Sequence, residues 1–123
     1  MLKLRFSKPS TRQYMDGKVT VCKYVCTIID GSTKEVKEKF TVTGSAKCSP
    51  NDAVNADFGR KLADSRAKFN AYKHAASFIC PMCLEGLIKV TDENINLLEF
   101  IDTMHYLKKK EIVHIKTICT EAE

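Results

Sequence analysis

The hydrophobic positions change period along the chain, and each change marks an element. Leu2, Leu4 and Phe6 alternate with Lys3 and Arg5, which puts them on one face of a short strand. Ser7-Lys8-Pro9-Ser10 interrupts the run, and the residues up to Met15 are read as its resumption. Asp16-Gly17 is a two-residue hairpin signal, because both residues accept the positive φ that such a turn needs. From Lys18 to Ile29 β-branched and aromatic residues dominate. Val19, Val21, Val25 and Ile29 fall on one face, and Cys22, Tyr24, Cys26 and Ile28 on the other. This predicts a central strand covered on at least part of both sides. After a second turn at Asp30-Gly31-Ser32 comes the cleanest alternation in the chain. Val36, Glu38, Phe40, Val42, Gly44, Ala46 and Cys48 point one way, and Lys37, Lys39, Thr41, Thr43, Ser45 and Lys47 the other. That is a strand with one buried and one solvated face, and two short turns in succession predict an antiparallel meander.

Beyond Ser49-Pro50-Asn51-Asp52 the period lengthens. From about Asn55 to Ile79 the spacing predicts one long helix, with Phe58, Leu62, Phe69, Ala76 and Ile79 on an apolar stripe. Ala63, Ala67, Ala71 and Ala75 form a small-residue row at spacing four, which allows close approach to a sheet. Asn55 is the expected N-cap, with Asp57 in the first turn. Gly59 weakens a helix, so it is expected where backbone approaches something closely, or at a cap. Cys80-Pro81 is expected to end this helix, since proline has no amide to donate. Leu84 to Val90 reads as a short strand. A second helix then runs from Thr91 or Asp92 to about Lys109, with Lys108-Lys109-Lys110 complementing its dipole. Ile112 to Cys119 alternates weakly and reads as a last strand. The fold class is therefore α+β. A meander of three to four strands is packed by the 55–79 helix, followed by a C-terminal helix and one or two short strands. Residues 1–123 form a single domain, divided into a core over 1–79 and a helical extension over 80–123.

With 44% apolar and 28% charged residues, the composition excludes disorder and fibrous repeats. No stretch has the roughly 20 apolar residues of a membrane span, and the charged start of the chain is unlike a signal peptide. A cytoplasmic location, in a host cell, with no membrane partner, is the expectation. The formal net charge of +5 favours anionic partners. One basic cluster lies on the first helix, Arg60, Lys61, Arg66, Lys68 and Lys73, with Lys47 at the end of the preceding strand. Arg60 and Lys61 stand near a helix N-terminus, where amides already favour an anion. These six are the candidate binding residues, and the alternative is an ordinary solvated helix face. If the target is instead a basic groove on a protein, the acidic Asp57, Asp64, Glu93 and Glu99 are the candidates.

The six cysteines, Cys22, Cys26, Cys48, Cys80, Cys83 and Cys119, are expected to be reduced thiols. Cys80-Pro-Met-Cys83 follows a helix instead of opening one, so it lacks the setting of a redox pair. A zinc site on Cys80 and Cys83 would need Cys48 or His74 as further ligands. The chain is expected to fold without metal, cofactor or disulfide. His74, His105 and His114 form no catalytic constellation, Gly44-Ser-Ala-Lys47 is too short for a phosphate loop, and no enzyme is expected.

The segment Phe40-Thr-Val-Thr-Gly-Ser-Ala-Lys-Cys-Ser-Pro-Asn-Asp52, followed by Phe58-Gly-Arg-Lys-Leu-Ala-Asp-Ser-Arg-Ala67, resembles small bacterial and phage proteins. Their fold is similar to the double-stranded-RNA-binding domain. The likeness runs to about Phe78, roughly a third of the chain. Arg60-Lys61 resembles the basic helix start of true double-stranded-RNA binders, but their Gly-Pro-x-His loop is absent. Basic chains of this layout also occur among phage proteins that block host immunity, anti-CRISPR proteins included. The resemblance implies a non-catalytic inhibitor of a bacterial defence system that masks an effector protein or its guide RNA. An RNA-binding module of housekeeping type and a sponge for a small nucleotide signal are the alternatives, and homodimer formation is left open.

Overall fold

The sheet is built on β3 (Val19–Asp30), the strand with apolar residues on both faces. The computed structural model describes the backbone of residues 2–15, 18–47, 56–86 and 92–121, and the side chains of 2–15, 18–47, 57–77 and 97–120. β4 (Val36–Lys47) pairs with β3 along nearly its whole length, from Val19↔Lys47 to Ile29↔Val36. The other edge of β3 is shared by β1 (Leu2–Phe6), paired over residues 26–30, and β2 (Ser10–Tyr14), paired over residues 19–23. All pairings are antiparallel. Ser7 bridges the break between β1 and β2: its amide donates to the Val25 carbonyl at 2.9 Å, and its Oγ accepts from the Val25 amide at 2.9 Å. The ladder thus passes the Pro9 interruption without leaving the Val25 groups unpaired.

α1 (Ala56–Gly86) and α2 (Asp92–Glu121) pack on one face of the sheet. The alanine row meets the strands as its spacing predicted, with Ala63, Ala67, Ala71 and Ala75 all fully buried. Gly44 makes the approach closest. A Cβ there would stand 2.3 Å from both the Ala63 carbonyl oxygen and the Ala67 nitrogen. Gly59 answers it from the helix side, where a Cβ would lie 2.7 Å from the Thr20 hydroxyl. One side of α1 covers the free edge of β4. Arg66 donates to the Ser45 carbonyl at 2.7 Å and Asn70 to the Thr43 carbonyl at 2.8 Å, while His74 stacks on Phe40. Edge carbonyls that would otherwise recruit another strand are occupied.

Four expectations are corrected. Val36 is 56% exposed, because a register shift between Ile28 and Ile29 pairs it with the outward-parity Ile29, where the unshifted register would have set it opposite Asp30. A bulge of this kind turns a side chain to the opposite face. α1 does not end at Cys80-Pro81 but continues to Gly86. Proline keeps a helical φ and forfeits one hydrogen bond, which a long helix survives. Residues 84–86 of the expected Leu84–Val90 strand are therefore helical, and 87–90 lie outside the described residues. Ile112–Cys119 is not a strand but the last part of α2, and Lys108-Lys109-Lys110 sits in mid-helix. Leu97, Phe100, Ile101, Met104 and Ile118 are buried, with Leu107, Ile115 and Cys119 packed beside them. That helical stripe overrides the local strand preference of Ile112, Val113 and Ile115. Asn55, Asp16-Gly17 and Cys48 lie outside the described residues.

Cys26 sits at the centre of the core, fully buried, and burial pushes its thiol from 9.0 up to about 11. A pKa raised by folding gives stability that is complete below pH 9 and lost as pH climbs through 11. The urea midpoint is expected to fall across that window, and less steeply in Cys26→Ala. An equal slope in both proteins would contradict the assignment.

Candidate nucleic-acid interface

The six basic residues singled out in the sequence differ in their partners. Arg60 is bonded to Asp57, Arg66 to the Ser45 carbonyl, and Lys68 to Asp64 at 3.2 Å. Arg66 leans over the β4 edge, whereas Lys68 engages Asp64 beside Tyr24 of β3. Lys61 and Lys73 are exposed on α1, and Lys47 is exposed at the end of β4. Among the candidate acids, Asp57 is held by Arg60, Glu99 is exposed on α2, and the Glu93 side chain lies outside the described residues.

Asp64 is half-buried between α1 and β3. It accepts from the Tyr24 hydroxyl and from Lys68, and the Cys22 thiol approaches it at 3.9 Å. Burial, then the bond to Asp64, pushes the Tyr24 phenol well above its ordinary value, and burial followed by the Asp64 charge raises Cys22. Burial alone would lower Lys68, but Asp64 outweighs it and raises the ammonium pKa. A second polar cluster joins the helices. The fully buried Ser65 donates to the Glu111 carboxylate, and His114 Nδ1 lies 3.0 Å from Ser65 Oγ and 3.4 Å from Glu111. Serine, histidine and acid together suggest a catalytic relay, but a relay needs one ring nitrogen for each partner. Here a single nitrogen faces both, and the hydroxyl is closed to substrate. The cluster clasps α2 to α1.

No group of three or more His, Cys, Asp or Glu suited to a metal occurs among the described residues. The side chains of Cys80 and Cys83 lie outside them.

The outer face of the sheet is different in kind. Both helices contact the opposite face, so the outward side chains of β1 to β4 are uncovered by either. Strand register sorts them into rows, because directly paired residues share a face. Arg5, Thr27 and Lys39 make one row; Ser10, Lys23 and Thr43 another; Arg12, Val21 and Ser45 a third; Tyr14, Val19 and Lys47 a fourth. Lys3 joins at the β1 end, opposite Ile29. Lys3, Arg5, Arg12, Lys23, Lys39 and Lys47 are all exposed, and none has an ion pair among the described residues. No described Asp or Glu stands in these rows. Between Lys39 and Lys47 the outward positions of β4 are Thr41, Thr43 and Ser45, a line of exposed hydroxyls. The strands lie about 4.8 Å apart and the rows about 7 Å apart, so the cations spread over a surface roughly 10 Å wide. Only Lys47 of the sequence-derived set belongs to it. The others were hidden because Lys3, Arg5, Arg12, Lys23 and Lys39 are scattered over four strands and meet only through register. Parity within each strand was the available signal.

The chain matches no family model, no curated protein and no solved structure. Among the described residues no helix is long and apolar enough to cross a membrane.

Proposed function

We propose that the chain is a non-catalytic nucleic-acid-binding protein whose outer sheet face takes the phosphate backbone. The observation that carries this is the set of six exposed cations, Lys3, Arg5, Arg12, Lys23, Lys39 and Lys47, with no acid among them. The hydroxyl line of Thr41, Thr43 and Ser45 adds neutral donors of the kind that position phosphates. An open face without walls suits an extended polymer better than a small nucleotide, which needs enclosure. The anti-defence setting implied by the resemblance is consistent with this chemistry: a protein covering an effector's guide RNA would use such a face.

Titration of labelled RNA and DNA oligonucleotides at several salt concentrations tests the proposal. Binding is expected to weaken linearly on a log–log salt plot. At about 0.7 per phosphate on a single strand, full use of the face sets a limiting slope of roughly −4. No binding at low salt would overturn the reading. Recovery of a single effector protein from nuclease-treated host lysate, with no oligonucleotide affinity, would point to direct masking of a protein instead.

A further inference from the structure

We propose that the free edge of β1 is a strand-addition site for an extended segment of a partner protein, apolar at one position and acidic on either side of it. This goes beyond nucleic-acid binding and does not depend on it. Among the described residues β1 pairs only with β3, so its other edge is open. The register says which backbone groups that edge offers. The Ser7 amide donates to the Val25 carbonyl, and in an antiparallel ladder hydrogen-bonded pairs alternate with non-bonded ones. Lys3↔Ile29 and Arg5↔Thr27 share the parity of Ser7 and Val25, so they carry the bonds to β3. Leu2, Leu4 and Phe6 aim their amides and carbonyls at the open edge, where no described backbone group meets them. The same parity directs the Thr43 and Ser45 carbonyls of β4 outward, and there Asn70 and Arg66 of α1 occupy them. One edge of the sheet is closed and the other is not.

The side chains specify the occupant. On the inner face a groove runs between β1 and α2, lined by half-buried Leu2 and Leu4 and buried Phe100 and Met104, with exposed Glu99 and Thr103 beside them. On the outer face Lys3 and Arg5 are exposed, with no ion pair among the described residues. Directly paired residues share a face. A residue added opposite Leu4 therefore enters the groove, and its two neighbours stand beside Lys3 and Arg5. An apolar residue fits the first place and acids fit the other two. Glu99 disfavours an acid in the groove itself. The same cations disfavour a second copy of the chain as occupant. A two-fold axis at Leu4 sets Lys3 against Arg5, and one at Lys3 or Arg5 sets that residue against itself. Like charges directly opposite are destabilising. In strand addition the main-chain bonds supply affinity and the alternate side chains choose the partner.

The probe is a short peptide of alternating valine and glutamate, titrated into isotope-labelled wild-type protein and followed by backbone amide NMR. Shifts are expected at Leu2–Phe6 and at Phe100, Thr103 and Met104. The valines, opposite the open-edge residues, direct their amides at β1, whereas the glutamate amides face away. N-methylation of the valines should therefore weaken binding about tenfold or more, and N-methylation of the glutamates no more than about threefold. Lysine in place of glutamate should also cost about tenfold. Every arm uses the unaltered protein, so no outcome depends on a variant folding. Equal binding of the two methylated peptides would reduce the effect to attraction by the basic face and overturn strand addition, as would the absence of shifts in β1. Concentration-dependent shifts at Leu2–Phe6 without peptide would give the edge to a second copy and overturn it too. Oligonucleotide affinity is read separately by the salt titration, so either reading can fail without the other.

Discussion

Gly44→Ala is expected to destabilise the protein by about 3 kcal/mol, at the upper end of the usual cost of overpacking. The new methyl would meet the Ala63 carbonyl oxygen and the Ala67 nitrogen, each at 2.3 Å, and the Arg66 carbonyl carbon at 2.8 Å. All three are backbone atoms of α1, so relief requires the whole helix to rise from the sheet. Lifting it would loosen the buried alanine row and the Arg66 and Asn70 bonds to the β4 edge together. Urea denaturation measures the loss. Gly59→Ala provides the comparison. Its methyl meets only the Thr20 hydroxyl at 2.7 Å, and a helix-interior alanine gains about 1 kcal/mol over glycine. That variant should lie near wild type. Near-wild-type stability in Gly44→Ala would mean that the helix and sheet are less tightly apposed than described.

The second large effect concerns binding. Reversing Arg5, Lys23 and Lys39 to glutamate is expected to weaken oligonucleotide affinity about a hundredfold at low salt and to flatten the salt dependence by roughly 2 in slope. These residues are exposed and occupy two adjacent-parity rows of the outer face, so the fold should be unaffected. The loss should be similar across sequences, since phosphate contacts carry no base information. Arg60→Glu with Lys61→Glu is the opposing experiment. Arg60 is already held by Asp57, and α1 packs on the other side of the sheet, so this pair should change affinity no more than about threefold. The reverse ranking would return the binding site to the helix.

The elements of the meander were legible because their patterning is local. The alternation of β4 appears as alternating burial from Phe40 to Lys47. Hydrophobic residues on both faces of β3 marked the central strand, and the Ala63-to-Ala75 row marked the closest helix face. Gly59 was placed correctly at a close approach. What failed was local preference opposed by long-range packing. Ile112, Val113 and Ile115 favour a strand taken alone, but Ile118 is buried on the same stripe as Met104 and the helix continues through them. Val36 kept the parity of its strand in sequence and lost it to a bulge that only pairing with β3 reveals.

The candidate site divides along the same line. Charge and helical spacing drew attention to Arg60, Arg66 and Lys68, but Arg60 and Lys68 are paired with the carboxylates of Asp57 and Asp64, and Arg66 is engaged by a backbone carbonyl of the β4 edge. The sequence by itself determined the α+β class, the order of strands before helices, the buried parity of β4 and the small-residue face of α1. Each follows from the repeat of a regular element, which fixes side-chain direction without reference to the rest of the chain. Tertiary structure alone decided the extent of both helices, the closure of the β4 edge and the gathering of cations on the uncovered face. Those depend on which elements pair, in what register, and which side of the sheet the helices leave open, and such relations join residues that the linear pattern keeps apart.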